Sequence, residues 1–293
     1  RIELLNPQGN VAAEHVQTIG IRTLELVQTE ITTEEEPGEF VFVVNGQKVF
    51  IKGTNHVPLD ALHGRDSRHL DTLLSMTADL NCNMLRIWGG GVYETDTFYD
   101  RCDELGIMVW HDFMFGCALY PQTEDFLKQA RKEAEVVVKR LRHHACMALW
   151  SGNNENDVAH DWFPLHSKLN PNDDRISREI LPEVLRRLDP LRSYLPSSPY
   201  VSQKVFERGK KTSEIPEDHL WGPRDDFKGP FYQNSPAHFV SEIGYHGAPC
   251  LESLKQMIEP EHLWPFENDG EIDCDDGSDE NEEQAGGTFT CDN

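Results

Sequence analysis

Two glutamates, each placed at the end of a short apolar segment, are the residues of this sequence best suited to chemistry. Glu155 ends the motif Trp-Ser-Gly-Asn-Asn-Glu (150–155), and Glu242 lies 87 residues later in Phe-Val-Ser-Glu-Ile-Gly (239–244). Parallel strands of a barrel deliver the residues at their ends to one rim. Glycoside hydrolases use a pair of carboxylates placed in this way. The two glutamates therefore predict glycoside hydrolysis. Either Glu alone would more often be a solvated loop residue or an ion-pair partner.

The charge and hydropathy of the chain restrict the partners that it can bind. Its 293 residues include 27 basic and 51 acidic side chains, which gives a net charge of −24. This balance disfavours nucleic acid, which needs clustered Lys and Arg, and it permits neutral sugars. No apolar run approaches the ~18 residues of a membrane helix, and the start lacks the layout of a signal peptide. We therefore expect a soluble protein without membrane contact, whose true start is missing.

Seven cysteines are spread along the chain without CxxC or Cys/His spacing. Cys82, Cys117 and Cys146 lie in or beside apolar segments, where a free thiol behaves as a small buried hydrophobe. The sequence therefore predicts structural thiols and no zinc site. Free thiols favour a reducing compartment, so the cytoplasm is preferred over secretion or a lysosome.

Three unequal parts are predicted from the hydropathy pattern. In residues 1–36, the alternating segment 19–27 predicts a half-buried strand. Residues 37–266 alternate strand and helix, which predicts a parallel sheet with crossover helices. Residues 267–293 hold eleven acidic residues and no Lys or Arg, so we expect a disordered tail. Its clustered carboxylates could bind Ca²⁺, although a solvated tail is the simpler interpretation.

Strands and helices alternate in residues 37–266 as in repeated β/α units, and seven barrel strands can be assigned there. Only 51 residues follow Glu242, and no eighth strand is predicted among them. The predicted strands are 49–53, 83–88, 107–110, 147–150, 192–196, 218–222 and 237–242, and the predicted helices are 66–80, 98–105, 124–143 and 173–188.

Four motifs stand out along the chain. They are Leu-Arg-Ile-Trp-Gly-Gly-Gly (85–91), Gly-Ile-Met-Val-Trp-His-Asp-Phe (106–113), Trp-Ser-Gly-Asn-Asn-Glu (150–155) and Ser-Glu-Ile-Gly-Tyr (241–245). Together they resemble glycoside hydrolase family 2, and its β-mannosidase branch in particular, and they occur in the family's order; the resemblance covers residues 19 to 266. It implies a (β/α)8 TIM-type barrel, here without its eighth strand, preceded by the last strands of an immunoglobulin-like β-sandwich.

The resemblance implies roles for individual residues. Glu155 matches the family's acid/base and Glu242 its nucleophile, which together would carry out a retaining double displacement. Asn154 matches the Asn that binds the sugar 2-hydroxyl, and Arg86 matches an Arg that lies below the nucleophile. His219 resembles the His of strand six, although a core histidine is a rival interpretation. We expect Glu155 to stay protonated near neutrality, because partial burial and a second negative charge raise a carboxyl pKa.

Further side chains are expected around the sugar. Trp88 and Trp110 could stack on a sugar ring, and core packing is the alternative for both. Asp112 could accept hydrogen bonds from sugar hydroxyls or serve a structural role. Trp221 stands where other family members carry a Tyr that hydrogen-bonds the nucleophile, and His56 stands where the family usually has Trp. These departures affect the identity of the sugar more than the reaction.

The predicted function is that of a retaining exo-β-glycosidase, specifically a β-mannosidase that releases terminal β-linked mannose from an oligosaccharide or glycoconjugate. No redox cofactor and no obligatory metal are expected. One alternative is another family 2 enzyme, acting on galactosides, glucosaminides or glucuronides. The other is a catalytically incomplete sugar-binding fragment, because an open barrel leaves two strand edges unpaired. The sequence leaves the oligomeric state open.

Overall fold

A computed structural model describes residues 1–162, 169–209, 212–221, 228–244 and 250–259 of the chain. These residues belong to two compact units. The larger unit comprises Arg1–His219 and Pro236–Glu242, and the smaller comprises Leu220–Ser235 and the described residues from Ile243 onward. The predicted acidic tail, 267–293, lies outside the described residues. Within the described ranges, no helix has the length and apolar character needed to cross a membrane.

Short antiparallel strands occupy the start of the larger unit. They are β1 (Ile2–Leu5) and β2 (Val11–His15), which form an exposed hairpin, and β3 (Leu24–Gln28), β4 (Phe40–Val44) and β5 (Gln47–Val49), which form a three-stranded sheet. Asn45 and Gly46 join β4 to β5, and their φ angles of 50° and 78° suit a two-residue hairpin turn. The strand predicted at 19–27 begins only at Leu24, because its partner β4 ends at Val44, opposite Leu24.

A five-stranded parallel sheet forms the centre of the larger unit. Its strands are β6 (Gly53–His56), β7 (Met84–Ile87), β8 (Met108–Asp112), β9 (Met147–Ser151) and β10 (Ser193–Leu195), adjacent in this order. The first strand predicted at 49–53 is therefore wrong: Val49 pairs with Phe42 in the hairpin, and the parallel sheet starts at Gly53. Gly53 is needed there, since a Cβ would lie 2.3 Å from the Met84 carbonyl oxygen.

Two later strands pair with each other. They are β11 (Glu217–Leu220) and β12 (Phe239–Ile243), at the positions predicted for strands six and seven. Among the described residues these two strands and the five-stranded sheet are separate, so the parallel strands do not close into a barrel.

Helices alternate with the parallel strands. They are α1 (Leu70–Asp79), α2 (Asp96–Leu105), α3 (Glu124–Leu141), α4 (Asn156–Trp162), α5 (Leu181–Leu188), α6 (Gln203–Glu207), α7 (Pro230–Gln233) and α8 (Leu251–Leu254). Gly106 ends α2 in the left-handed conformation, with φ of 69°, and so lets the chain turn into β8. The predicted helix 66–80 is divided into a 3₁₀ turn at His63–Arg68 and then α1.

Both faces of the parallel sheet are buried. On one face, α1, α2, α3 and α5 pack side chains such as Leu74, Phe98 and Val138 against β7, β8 and β9. On the other face, Phe42 of β4 belongs to a cluster that includes Trp110 of β8. Burial on both sides explains why β9 is apolar along nearly its whole length, as is typical of parallel strands.

The smaller unit contains α7 and α8. Within it, the indole of Trp221 covers Gly244 so closely that a Cβ at Gly244 would lie 1.4 Å from the ring. The hydroxyl of Tyr232 donates to the carbonyl oxygen of Gly244 at 3.0 Å. The close approach of the indole explains the glycine of the Ser-Glu-Ile-Gly motif.

We expect L74A to destabilise the larger unit strongly. Leu74 of α1 is 0% exposed, so truncation removes apolar contacts and leaves a cavity, at a cost of about 2 to 5 kcal/mol. The matched control is M76A on the same helix, where the side chain is 58% exposed and the effect should stay below about 0.5 kcal/mol. Urea unfolding measures both, and equal effects of the two substitutions would contradict the described packing of α1.

Candidate active site

The guanidinium of Arg86 on β7 is the centre of a buried polar cluster. Nη2 donates to Asp112 Oδ2 at 2.7 Å and to Asn154 Oδ1 at 2.8 Å. Nη1 donates to Glu242 Oε1 at 2.6 Å and to Asn55 Oδ1 at 3.0 Å. Burial alone would lower the pKa of Arg86, but Asp112 and Glu242 overcome this effect and raise it. Arg86 therefore remains charged and holds partners from four neighbouring segments.

Asp112 and Trp110 support Arg86 from β8. Asp112 is fully buried, and its oxygens also accept from Trp110 Nε1 at 2.9 Å and from the backbone N–H of Gly89 at 3.1 Å. Burial raises the pKa of Asp112 to about 6, against the opposing effect of Arg86. Trp110 is 1% exposed and stacks on Phe40. The sugar contacts expected of Trp110 and Asp112 stay predictions, and in this structure both side chains lie beneath the surface and hold Arg86 in position.

One ring nitrogen contacts both candidate carboxylates. His219 Nδ1 lies 2.8 Å from Glu155 Oε1 and 3.5 Å from Glu242 Oε2. Burial would raise the pKa of Glu155, but the hydrogen bond and charge of His219 lower it below the ordinary value. The expectation that Glu155 stays protonated near neutrality is therefore wrong for the chain without substrate. Burial also lowers the pKa of His219.

The motif 150–155 is held by close backbone contacts beyond β9. Asn154 forms isolated parallel bridges with Gly116 on one side and Ser198 on the other. The amide of Glu155 donates to the Ser198 carbonyl oxygen at 2.8 Å, with Glu155 at a φ of 61°. A positive φ is uncommon for Glu and is maintained only where the surroundings impose it. These contacts direct the side chains of Asn154 and Glu155 to the end of the sheet.

Glu217 is a site residue that the sequence reasoning missed. It is 2% exposed, and its Oε1 accepts hydrogen bonds from the hydroxyls of Ser198, at 2.7 Å, and Ser241. Oε1 also lies 3.8 Å from His219 Nε2, while Oε2 has no hydrogen-bond partner among the described residues. Burial raises the pKa of Glu217 to about 8. Its position two residues before His219, on the same face of β11, was the available signal.

Trp88, Trp221 and Cys117 are not part of the buried cluster around Arg86. Trp88 is partly exposed and covers Gly90, where a Cβ would lie 2.1 Å from the ring. Trp221 belongs to the smaller unit and is about half exposed. Cys117, predicted as a buried structural thiol, is instead exposed and lies 3.4 Å from Glu155 Oε2. The apolar residues before Cys117 include Phe113 and Phe115, which are buried, but the chain beyond them leaves the thiol at the surface.

Two groups of described side chains have donor atoms close enough to share a cation. The first is Glu155, His219 and Glu242, whose donor atoms lie within 4.8 Å of one another, and the second includes His144 and Asp103. Hydrogen bonds of 2.8 Å already join His219 to Glu155 and His144 to Asp103. Because these bonds account for the same short distances, the geometry alone assigns no metal.

We expect E217Q to stabilise the chain increasingly as the pH rises from about 5 to 8. The unfolded state releases the Glu217 proton near the ordinary pKa of 4.5, whereas the folded state retains it to about 8. The unfolded state therefore binds fewer protons across this range, and wild-type stability falls with pH. Gln keeps the shape and removes the titration. Urea unfolding at several pH values measures the difference, with E179Q at an exposed position as control. A difference independent of pH would contradict a neutral buried Glu217.

Comparison with known proteins gives relatives of one kind, although no family model matches the chain. A β-mannosidase of Capra hircus is 38% identical over 276 residues, covering 89% of this chain and 31% of the relative. A β-mannosidase B of Thermothelomyces thermophilus is 34% identical over 255 residues, covering 82% and 29%. The chain thus spans about a third of the length of these relatives.

Comparison with solved structures also gives a β-mannosidase. The β-D-mannosidase of Dictyoglomus thermophilum superimposes with a TM-score of 0.76 at 38% identity, covering 88% of this chain and 31% of that structure. The exo-chitosanase CsxA of Amycolatopsis orientalis gives a TM-score of 0.58 at 18% identity, covering 83% and 27%, and shows similarity of fold alone. Since identity above 30% extends over nearly nine-tenths of its length, the chain belongs to the β-mannosidase family within glycoside hydrolase family 2.

Proposed function

We propose that the chain carries the catalytic pair of a retaining exo-β-mannosidase, with Glu242 as nucleophile and Glu155 as acid/base. The observation that carries this proposal is the separation of the pair: an oxygen of Glu155 and one of Glu242 lie within 4.8 Å of each other. Retaining glycosidases place their carboxyl groups about 5 Å apart, whereas inverting enzymes need about 6.5 to 9.5 Å to admit a water. The sugar is proposed from the names of the relatives.

The contacts of Glu242 suit a nucleophile. Arg86 Nη1 donates to Oε1 at 2.6 Å, and this charge-assisted hydrogen bond fixes the position of the carboxylate. Oε2 lies on the side of His219, which also contacts Glu155, and we assign to this oxygen the attack on the anomeric carbon. Attack would form a glycosyl ester at Glu242 and break the bond to the leaving oxygen, which takes the proton of Glu155. Glu155 would next remove a proton from water as the ester is hydrolysed.

Two further residues are proposed to contact the sugar. Asn154 has its amide orientation fixed, because Oδ1 accepts from Arg86 and Nδ2 points to the Cys117 sulfur at 3.3 Å. This Nδ2 is the group that we assign to the sugar 2-hydroxyl. Trp88 is partly exposed, so its indole could stack on the C–H face of a sugar ring. The proposed substrate is a terminal β-mannoside of an oligosaccharide or glycoconjugate.

The architecture that we propose is a (β/α)8 barrel in which β6 to β10 are strands one to five and β11 and β12 are strands six and seven. We propose 37–266 as this catalytic domain and 1–36 as the end of a β-sandwich. Pairing of β3 with β4 crosses the proposed boundary, so the two parts share one antiparallel sheet. The five parallel strands and their flanking helices support the proposal.

Replacement of each glutamate should have a different signature. E242Q should lower kcat by about 10⁴-fold or more, because it removes the nucleophile, and azide should not restore mannose formation. E155A should still react with an aryl mannoside that has a good leaving group, and azide should accelerate its slow second step by attacking the glycosyl ester. E124Q, at an exposed residue of α3, is the control.

A 2-fluoro-β-mannosyl inactivator followed by peptide mapping should label Glu242, and a label elsewhere would overturn the assignment.

A panel of aryl glycosides should identify the sugar. We expect kcat/KM for the β-mannoside to exceed that for the β-galactoside, β-glucosaminide and β-glucuronide by at least about 100-fold, since buried polar groups penalise a misplaced hydroxyl. Highest activity on another member would support a different family 2 specificity. Mannose binding by calorimetry without hydrolysis of any member would support a sugar-binding fragment.

A further inference from the structure

The exposed Cys117 thiol is in contact with the proposed acid/base. Its Sγ–H donates to Glu155 Oε2 at 3.4 Å, and its sulfur accepts from Asn154 Nδ2 at 3.3 Å. The two oxygens of Glu155 therefore have different partners, since Oε1 accepts from the ring of His219 at 2.8 Å. A thiol is a weak donor, so the bond at Oε2 is the easier of the two to exchange for a bond to substrate.

The backbone holds this contact in place. Cys117 has a φ of 53° and Glu155 has a φ of 61°, a left-handed conformation that is costly for residues with a side chain. The amide of Cys117 donates to the Asn154 carbonyl oxygen at 2.8 Å, next to the bridge between Gly116 and Asn154. Two strained residues that face each other and are joined by their side chains indicate a local arrangement maintained by the fold.

We propose, on the basis of the proposed function, that Cys117 is a positioning residue which fixes Oε2 of Glu155 as the oxygen that delivers the proton to the leaving group. In the resting chain the thiol holds Oε2 toward the open side of the site. When substrate binds, the glycosidic oxygen replaces the thiol at Oε2, while His219 keeps its bond to Oε1. The thiol forms no covalent bond and undergoes no redox change.

The state of the thiol is consistent with this role. Burial and the neighbouring charge of Glu155 raise the pKa of Cys117 to about 11. The group therefore remains a protonated thiol and a hydrogen-bond donor at neutral pH. Cys117 contributes a proton to a hydrogen bond, and nothing more, to the chemistry of the site.

The charged and titratable groups that face Glu155 come from several elements. His219 on β11 bonds Oε1, and Arg86 on β7 acts at longer range, and both favour the ionised carboxylate. Glu242 on β12 and Asp218 on β11 are the neighbouring acids. Against this fixed background, loss of the thiol donor removes one group that stabilises the ionised form. The pKa of Glu155 must therefore rise when the thiol is removed.

The test compares the pKa of Glu155 in wild type, C117A, C117G and C117S. The ¹³C carboxyl shift of Glu155, identified by its loss in E155Q, reports this pKa without any substrate. We expect C117A and C117G to raise it by about half a unit or more, and C117S, which retains a donor, to leave it at or below the wild-type value. C117G accommodates the positive φ and so removes the thiol without backbone strain. C82A, at a cysteine beyond α1, is the matched control and should change nothing.

The kinetic measurement is the pH profile of kcat/KM for an aryl β-mannoside. The basic limb reports the acid and should move to higher pH in C117A and C117G, while the profile of C82A should match that of the wild type. An unchanged Glu155 pKa in both variants would overturn the inference, even if β-mannosidase activity is confirmed. Conversely, a raised pKa in a chain that hydrolyses no mannoside would uphold the contact and overturn the proposed function.

Discussion

The buried guanidinium of Arg86 is the interaction on which the rest of the site depends. A cation that is 4% exposed persists only when its donors are paired, because an uncompensated buried charge costs several kcal/mol. Its partners are Asp112, Glu242, Asn154 and Asn55, which come from β8, β12, the segment after β9, and β6. The same hydrogen bonds that satisfy the charge therefore fix the positions of the proposed nucleophile and the proposed sugar-binding amide.

The groups around Glu155 and Glu242 determine the protonation state of the proposed acid/base. His219 Nδ1 donates to Glu155 and lies 3.5 Å from Glu242 Oε2, and the hydrogen bond lowers the pKa of Glu155 in the chain without substrate. A sugar that displaces the Cys117 thiol from Oε2 and excludes water would favour the protonated acid. Behind the pair, Glu217 is buried with a pKa of about 8 and is neutral at physiological pH. Glu217 is thus a third buried carboxyl near the pair, and it accepts hydrogen bonds from Ser198 and Ser241.

The sequence by itself determined the alternation of strands and helices and the strand that carries Arg86. It also identified Glu155 and Glu242 as the candidate catalytic pair. Apolar runs of strand length are local signals, and β7 and β9 lie where they were predicted. The first parallel strand was misplaced, because Val49 continues an apolar pattern that belongs to the β4–β5 hairpin. A local pattern identifies a strand but does not choose its partner, since strand pairing is a long-range property.

Only the tertiary structure decided which polar residues meet. Trp110 and Asp112 are of residue types that can bind sugars. Packing against the antiparallel sheet nevertheless places Trp110 in the core, and Asp112 bonds Arg86. Cys117 carries no sequence signal for the site and Glu217 only its spacing from His219, because their contacts with Glu155 and Ser198 join residues 38 and 19 positions apart. The pKa of a carboxyl likewise depends on donors brought from other strands. Residue types define the available chemistry, and long-range packing determines which side chain performs it.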